Sequence, residues 1–231
     1  PVSGSVPDPI PAEPTGLIAE LRGGWSEFVS RTWVWAIVAA FLVLNAITAG
    51  GLMVIGPLVA KQDLGPEGWG QGMSAEGLGL LVATAFLLKI RLRRPLVAGM
   101  LAVVWTALPM FALGMRWAIP WVVIAFFISG IASDIFNIGW TVALQENIPD
   151  RLLARVSSYD MLGSFIAMPV GQIGFGWLST HKDVHGLLVW SCAVYVVVAL
   201  LTLLSRDVRR LRSPGSSLAH PEGDEGEAGV Q

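Results

Sequence analysis

The chain has 231 residues, of which 54% are hydrophobic and 14% charged, with a formal net charge of −2. A soluble domain carries roughly 25% charged residues, so the composition points to a membrane protein, and the charge balance offers no basic face for nucleic acid. A single cysteine, Cys192, excludes an internal disulfide, and the three scattered histidines give no metal-ligand spacing.

Residues 1–16 (PVSGSVPDPIPAEPTG) are rich in Pro, Gly and Ser and read as a flexible linker. They hold no basic n-region and apolar core, so they are not a signal peptide. A linker that opens on Pro1 rather than Met suggests a preceding segment. Leu17–Ser30 is amphipathic, with Leu17, Leu21 and Trp25 at i, i+4 and i+8. Such a stretch can lie on the membrane surface, or it is linker with partial helix.

Six apolar spans are predicted, at about 33–59, 69–88, 95–115, 119–140, 157–178 and 187–204. A crossing needs roughly 20 residues. The first begins with Trp33 and Trp35, placed as an interfacial belt, and loosens at Gly50, Gly51, Gly56 and Pro57. The loop Lys61–Gly68 follows. The second span is the weakest, because it holds Gln71, Glu76 and several glycines. The third carries Pro109 as a kink site and ends at a very short turn with Arg116. The fourth contains Asp134 and Asn137, and the loop Val142–Arg155 follows it. The fifth is glycine-rich, with Pro169 and Gln172. After the loop Ser179–His185, the sixth carries no charge at all. The tail 206–231 starts basic and ends acidic, and its last part is expected to be disordered.

Basic residues alternate between the gaps. Arg22 and Arg31; Lys89, Arg91, Arg93 and Arg94; Arg151 and Arg155; and Arg206, Arg209, Arg210 and Arg212 share one set of gaps. The other set holds Lys61, Arg116 and Lys182. Short cytoplasmic loops retain Lys and Arg, so both termini are expected inside. Two consecutive basic gaps also require an outward and a return crossing between them, which makes the weak second span a span. Long unalternating runs mean helices rather than barrel strands. The expected fold is an all-α membrane bundle of six transmembrane helices in residues 31–205.

Three stretches resemble one known family. They are SGIASDIFNIGWTVALQENIP (Ser129–Pro149), PDRLLARVSSYDMLGSF (Pro149–Phe165) and ELRGGWSEFVSRTWVWA (Glu20–Ala36). They are similar to the C-terminal half of major facilitator superfamily transporters, nearest the branch of the enterobactin exporter and macrolide-type drug:proton antiporters. The resemblance covers Leu17 to Arg212. It implies one six-helix half built of two inverted three-helix repeats, working with a missing N-terminal half. It also implies alternating access, proton-coupled export of amphipathic, drug- or siderophore-like small molecules, and the bacterial cytoplasmic membrane. The basic loop Lys89–Pro95 stands where the family's loop signature would recur but lacks its acidic and glycine residues. The alternative for an unpaired half is a non-transporting membrane fragment or scaffold.

Several residues can carry chemistry. A carboxylate inside a span usually faces a cavity or a partner. Asp134, with Asn137 and Trp140 at i+3 and i+6, forms a candidate cavity face and a candidate proton site; a structural hydrogen bond or a pairing with an inner Arg would equally account for Asp134. Glu76 is a second proton-coupling candidate, or a wet residue near the outer loop. Asn45 and Gln172 are candidate cavity residues or interhelical hydrogen bonders. Arg94, Arg151, Arg155 and Asp160 are candidates for a cytoplasmic gate, or the arginines anchor to headgroups. Gly163, Ala167 and Gly171 form a small-residue stripe that admits a close helix. No G-x-x-x-x-G-K-[ST] phosphate loop and no nucleophile–base set is present. The reading is therefore a transporter without enzyme activity or cofactor, with lipid and a small-molecule substrate as partners.

Overall fold

The computed structural model describes residues 32–89 and 95–204. The linker, the stretch Leu17–Ser30, Arg94 and the tail lie outside the described residues. Every regular element among the described residues is helical. Six rods run back and forth. The first is α1 (Thr32–Gly50), a π-helical turn (Gly51–Ile55) and α2 (Gly56–Asp63). The second is α3 (Gly65–Leu87). The third is α4 (Pro95–Val103), a 3-10 turn (Val104–Ala107) and α5 (Leu108–Gly114). The last three are α6 (Ile119–Asn147), α7 (Asp150–Ser179) and α8 (Val184–Thr202).

Local chemistry accounts for the breaks. Pro57 has no N–H to give, and the preceding turn widens so that the Gly56 N–H reaches Gly51 O, five residues back. Pro109 similarly follows the tightened turn Val104–Ala107. The loop expected at Lys61–Gly68 shrinks to Leu64 between α2 and α3. The loop expected at Val142–Arg155 is mostly helix: α6 runs seven residues past Trp140 and stops at Ile148, which is extended ahead of Pro149. Proline disfavours helical backbone in the residue before it, so the helix ends there and not where its apolarity ends.

Five helical segments are long and apolar enough to cross a membrane: Trp33–Asp63, Leu96–Gly114, Ile119–Asn147, Val156–Ser179 and Val184–Thr202. At 23 residues α3 has the length, but its glycines, Gln71 and Glu76 dilute its apolarity. It packs along α6 more extensively than any other helix pair does.

The packing repeats within the chain. α3 lies on α6, and α7 lies on α1; the α4–α5 rod lies on α6, and α8 lies on α1. Exchanging the first three rods for the last three leaves this pattern unchanged, and the α5–α8 contact maps onto itself. That is the arrangement two inverted three-helix repeats would give. Both main crossings depend on missing side chains. A Cβ on Gly130 would strike the Glu76 carbonyl, one on Gly79 would strike that of Phe127, and one on Gly171 would strike that of Ala46. The backbones approach closely because glycine leaves room. The predicted stripe on α7 thus meets α1, at Gly171 through backbone and at Gly163 against Leu42.

Trp35 is exposed, as an interfacial tryptophan would be, but Trp33 turns inward. Its ring sits edge-on to Trp140 with centroids 6.0 Å apart.

Candidate functional site

A cavity of about 340 Å³ lies in the middle of the bundle, and all six rods contribute to its wall. This is within the range of small-molecule sites. α6 supplies the largest share. Ser129, Ser133 and Asn137 recur at i, i+4 and i+8, with Phe136 and Trp140 beside them. Helical residues turn by roughly 100° each, so these five share one face.

An aromatic wall crosses the cavity. Phe41 of α1 stacks on Phe136 at 4.2 Å between centroids, and Phe136 lies parallel to Trp140 at 6.4 Å. Polar groups interrupt it. The Trp140 indole donates to Asp160 Oδ2 at 3.0 Å, joining α6 to α7. Ser129 Oγ donates to Glu76 Oε1 at 3.3 Å, joining α6 to α3. Asn45 Nδ2 donates to Ser164 Oγ at 2.9 Å, joining α1 to α7. At the far wall the hydroxyls of Thr106 and Tyr195 lie 2.7 Å apart, and Thr48 also bonds Tyr195. Among the described residues the cavity lining therefore holds two carboxylates, an abundance of neutral donors and acceptors, and no Lys or Arg.

The two carboxylates have chemically different partners. A serine hydroxyl can donate to a carboxylate or accept from a carboxylic acid, so Ser129 can serve Glu76 in either protonation state. An indole N–H only donates, so Trp140 always presents a donor to Asp160.

Of the residues singled out in the sequence, Asn45, Asn137, Trp140, Glu76 and Asp160 line this cavity. Asp134 does not. It follows Ser133 by one residue, turns about 100° off the lining face, and accepts from Thr84 Oγ1 of α3 at 2.7 Å. Gln172 is exposed and is not part of the wall. Arg94 lies outside the described residues. Arg151 and Arg155 sit in the first turns of α7, with side chains outside the described set. Asp160, expected beside those arginines, has the Trp140 indole as its partner.

Sequence reasoning passed over Thr48, Thr106, Ser129, Ser133, Ser164 and Tyr195. The Ser129–Ser133–Asn137 repeat was a readable signal. Tyr195 and Thr106 stand 89 positions apart, and no local pattern joins them.

The profile of the Major Facilitator Superfamily matches residues 2–172, well over half of the chain. The chain belongs to the Major Facilitator Superfamily. Its members are membrane transporters, and the long apolar helices and self-matching packing agree with a multi-pass member of that superfamily. No curated protein and no solved structure matches the chain significantly.

Proposed function

We propose that this superfamily member is one half of a secondary active transporter that exports amphipathic small molecules in exchange for protons, by alternating access. In this reading the chain contributes six helices, works with a second six-helix half, and sits in the bacterial cytoplasmic membrane with both termini inside. Its motifs resemble those of the branch that holds the enterobactin exporter and macrolide-type drug:proton antiporters. The observation that carries the proposal is the cavity between the repeats, which joins an aromatic wall to a carboxylate in a hydroxyl-rich setting. Aromatic faces suit a flat apolar portion of a substrate, and scattered hydroxyls and amides suit its polar groups.

Glu76 is the proton carrier in this reading. Its partner tolerates both protonation states, and it lines the cavity at the α3–α6 crossing. Asp134 has a hydroxyl partner too, but on the flank outside the cavity. Arg94, Arg151 and Arg155 belong to the cytoplasmic gate, and Asp160 anchors the cavity edge of α7 to Trp140.

Reconstitution of the full-length protein into vesicles tests the coupling. An imposed pH gradient is expected to drive accumulation of an amphipathic fluorescent dye, and an ionophore that collapses the gradient is expected to stop it. Accumulation that ignores the gradient would remove the proton from the mechanism.

A further inference from the structure

The strongest feature outside the cavity is at the opposite side of the fold from Trp33, where all three turns Leu64, 115–118 and 180–183 gather. His185 is 7% exposed in the first turn of α8. Its Nε2 lies 2.7 Å from Asp63 Oδ2 at the end of α2. Its Nδ1 lies 3.2 Å from Arg116 Nη2, in the turn between α5 and α6, and 3.8 Å from Asp183 Oδ1. One imidazole thus connects all three turns. Behind it α5 packs through Gly114 and brings no titratable side chain. Lys61, Glu67 and Lys182 stand exposed at the same end.

The partners dictate the proton positions. A guanidinium can only donate, so the Nδ1 that faces it must accept. The ring proton then sits on Nε2, which donates to Asp63 Oδ2, and in this arrangement the imidazole is neutral. Adding a proton to Nδ1 turns that nitrogen into a donor. It can no longer bond Arg116, and two cations now face each other. Asp183 is an acceptor at hand: its other oxygen caps α8 by accepting from the Gly186 N–H at 2.6 Å, leaving Oδ1 toward the ring. The change is sited where it has leverage, because Arg116 holds a left-handed backbone with φ 53°, which non-glycine residues rarely adopt. Arg116 also borders an open groove shared with Gln62, Asp63, Leu64 and Trp117, into which its side chain can move.

We propose that His185 is a proton-binding site whose protonation hands Nδ1 from Arg116 to Asp183 and frees the Arg116 side chain. The site is separate from the cavity and does not depend on what the cavity carries.

Nitrogen NMR of this 231-residue chain labelled at histidine tests it, since its three histidines are His181, His185 and His220. H185Q assigns the His185 resonances. At mildly alkaline pH the parent is expected to show a bare Nδ1 and a protonated Nε2. Arg116→Gln keeps a donor but removes the charge, and is expected to move proton uptake at His185 to higher pH by about one unit. Asp183→Asn keeps a capping side chain but removes the anion, and is expected to move uptake to lower pH by about as much. A proton on Nδ1 in the alkaline parent, or anything other than these two opposite shifts, overturns the exchange.

Discussion

The Trp140 indole donates to Asp160 Oδ2 at 3.0 Å and is the main polar tie between α6 and α7, which otherwise barely touch. The tie lies on the cavity wall, so it links the binding surface to the relative position of two rods. Trp140→Phe keeps the ring beside Phe136 and removes the donor. A hydrogen bond to a charged group contributes about 1.5–3 kcal/mol, and W140F is expected to lose an amount of that order. Asp160→Asn retains an acceptor and should lose less. The double variant should fall short of the sum of the singles, because both substitutions act on the same bond. Unfolding titrations in detergent check this; strict additivity would deny the coupling.

The crossings make a second test. Gly130→Ala and Gly171→Ala each put a methyl group onto the backbone of the facing helix. Overpacking typically costs about 1–3 kcal/mol, and backbone obstacles cannot swing aside, so the upper part of that range is expected. Gly174 and Gly176 face open space. Alanine there should be neutral or stabilise by up to about 1 kcal/mol through helix propensity. Thermal stability of the four variants gives the comparison, and equal effects at all four positions would refute close approach as the role of Gly130 and Gly171.

Acid should act on the cap of α8. The Gly186 N–H, followed by the nearby His185 and Arg116, holds the Asp183 carboxyl below the usual carboxylate range. A depressed value means stability that is complete above the unfolded carboxylate range, near pH 3.9, and is lost as pH falls through the lower folded value. Below about pH 4 the parent should therefore lose stability that Asp183→Asn does not, because an amide caps without titrating. Acid unfolding curves of equal steepness for the two proteins in that window would contradict the assignment.

The rods were legible because their apolar runs are long and unbroken, and the second was legible only through the basic gaps on either side of it. Its apolarity alone does not suffice, since Gln71 and Glu76 are polar, and Glu76, Gly72 and Gly79 serve the α6 contact. Helix ends were less legible. α6 outlasts its apolar stretch and ends at Pro149 for a backbone reason. Placing Asp134 with Trp140 required i, i+3 and i+6 to share a face, yet each step of three falls about 60° short of a full turn. Two steps carry Asp134 off the wall. The ties Thr106–Tyr195 and His185–Asp63 span 89 and 122 positions, and only the folded packing brings them together.

In the proposed mechanism Glu76 carries the coupled proton within the cavity. In vesicles holding the full-length protein, Glu76→Gln is expected to abolish efflux driven by a pH gradient. Exchange of labelled for unlabelled substrate at equal pH on both sides should persist, because exchange moves no net proton. Glu76→Gln with efflux driven as strongly as in the parent would contradict the claim outright.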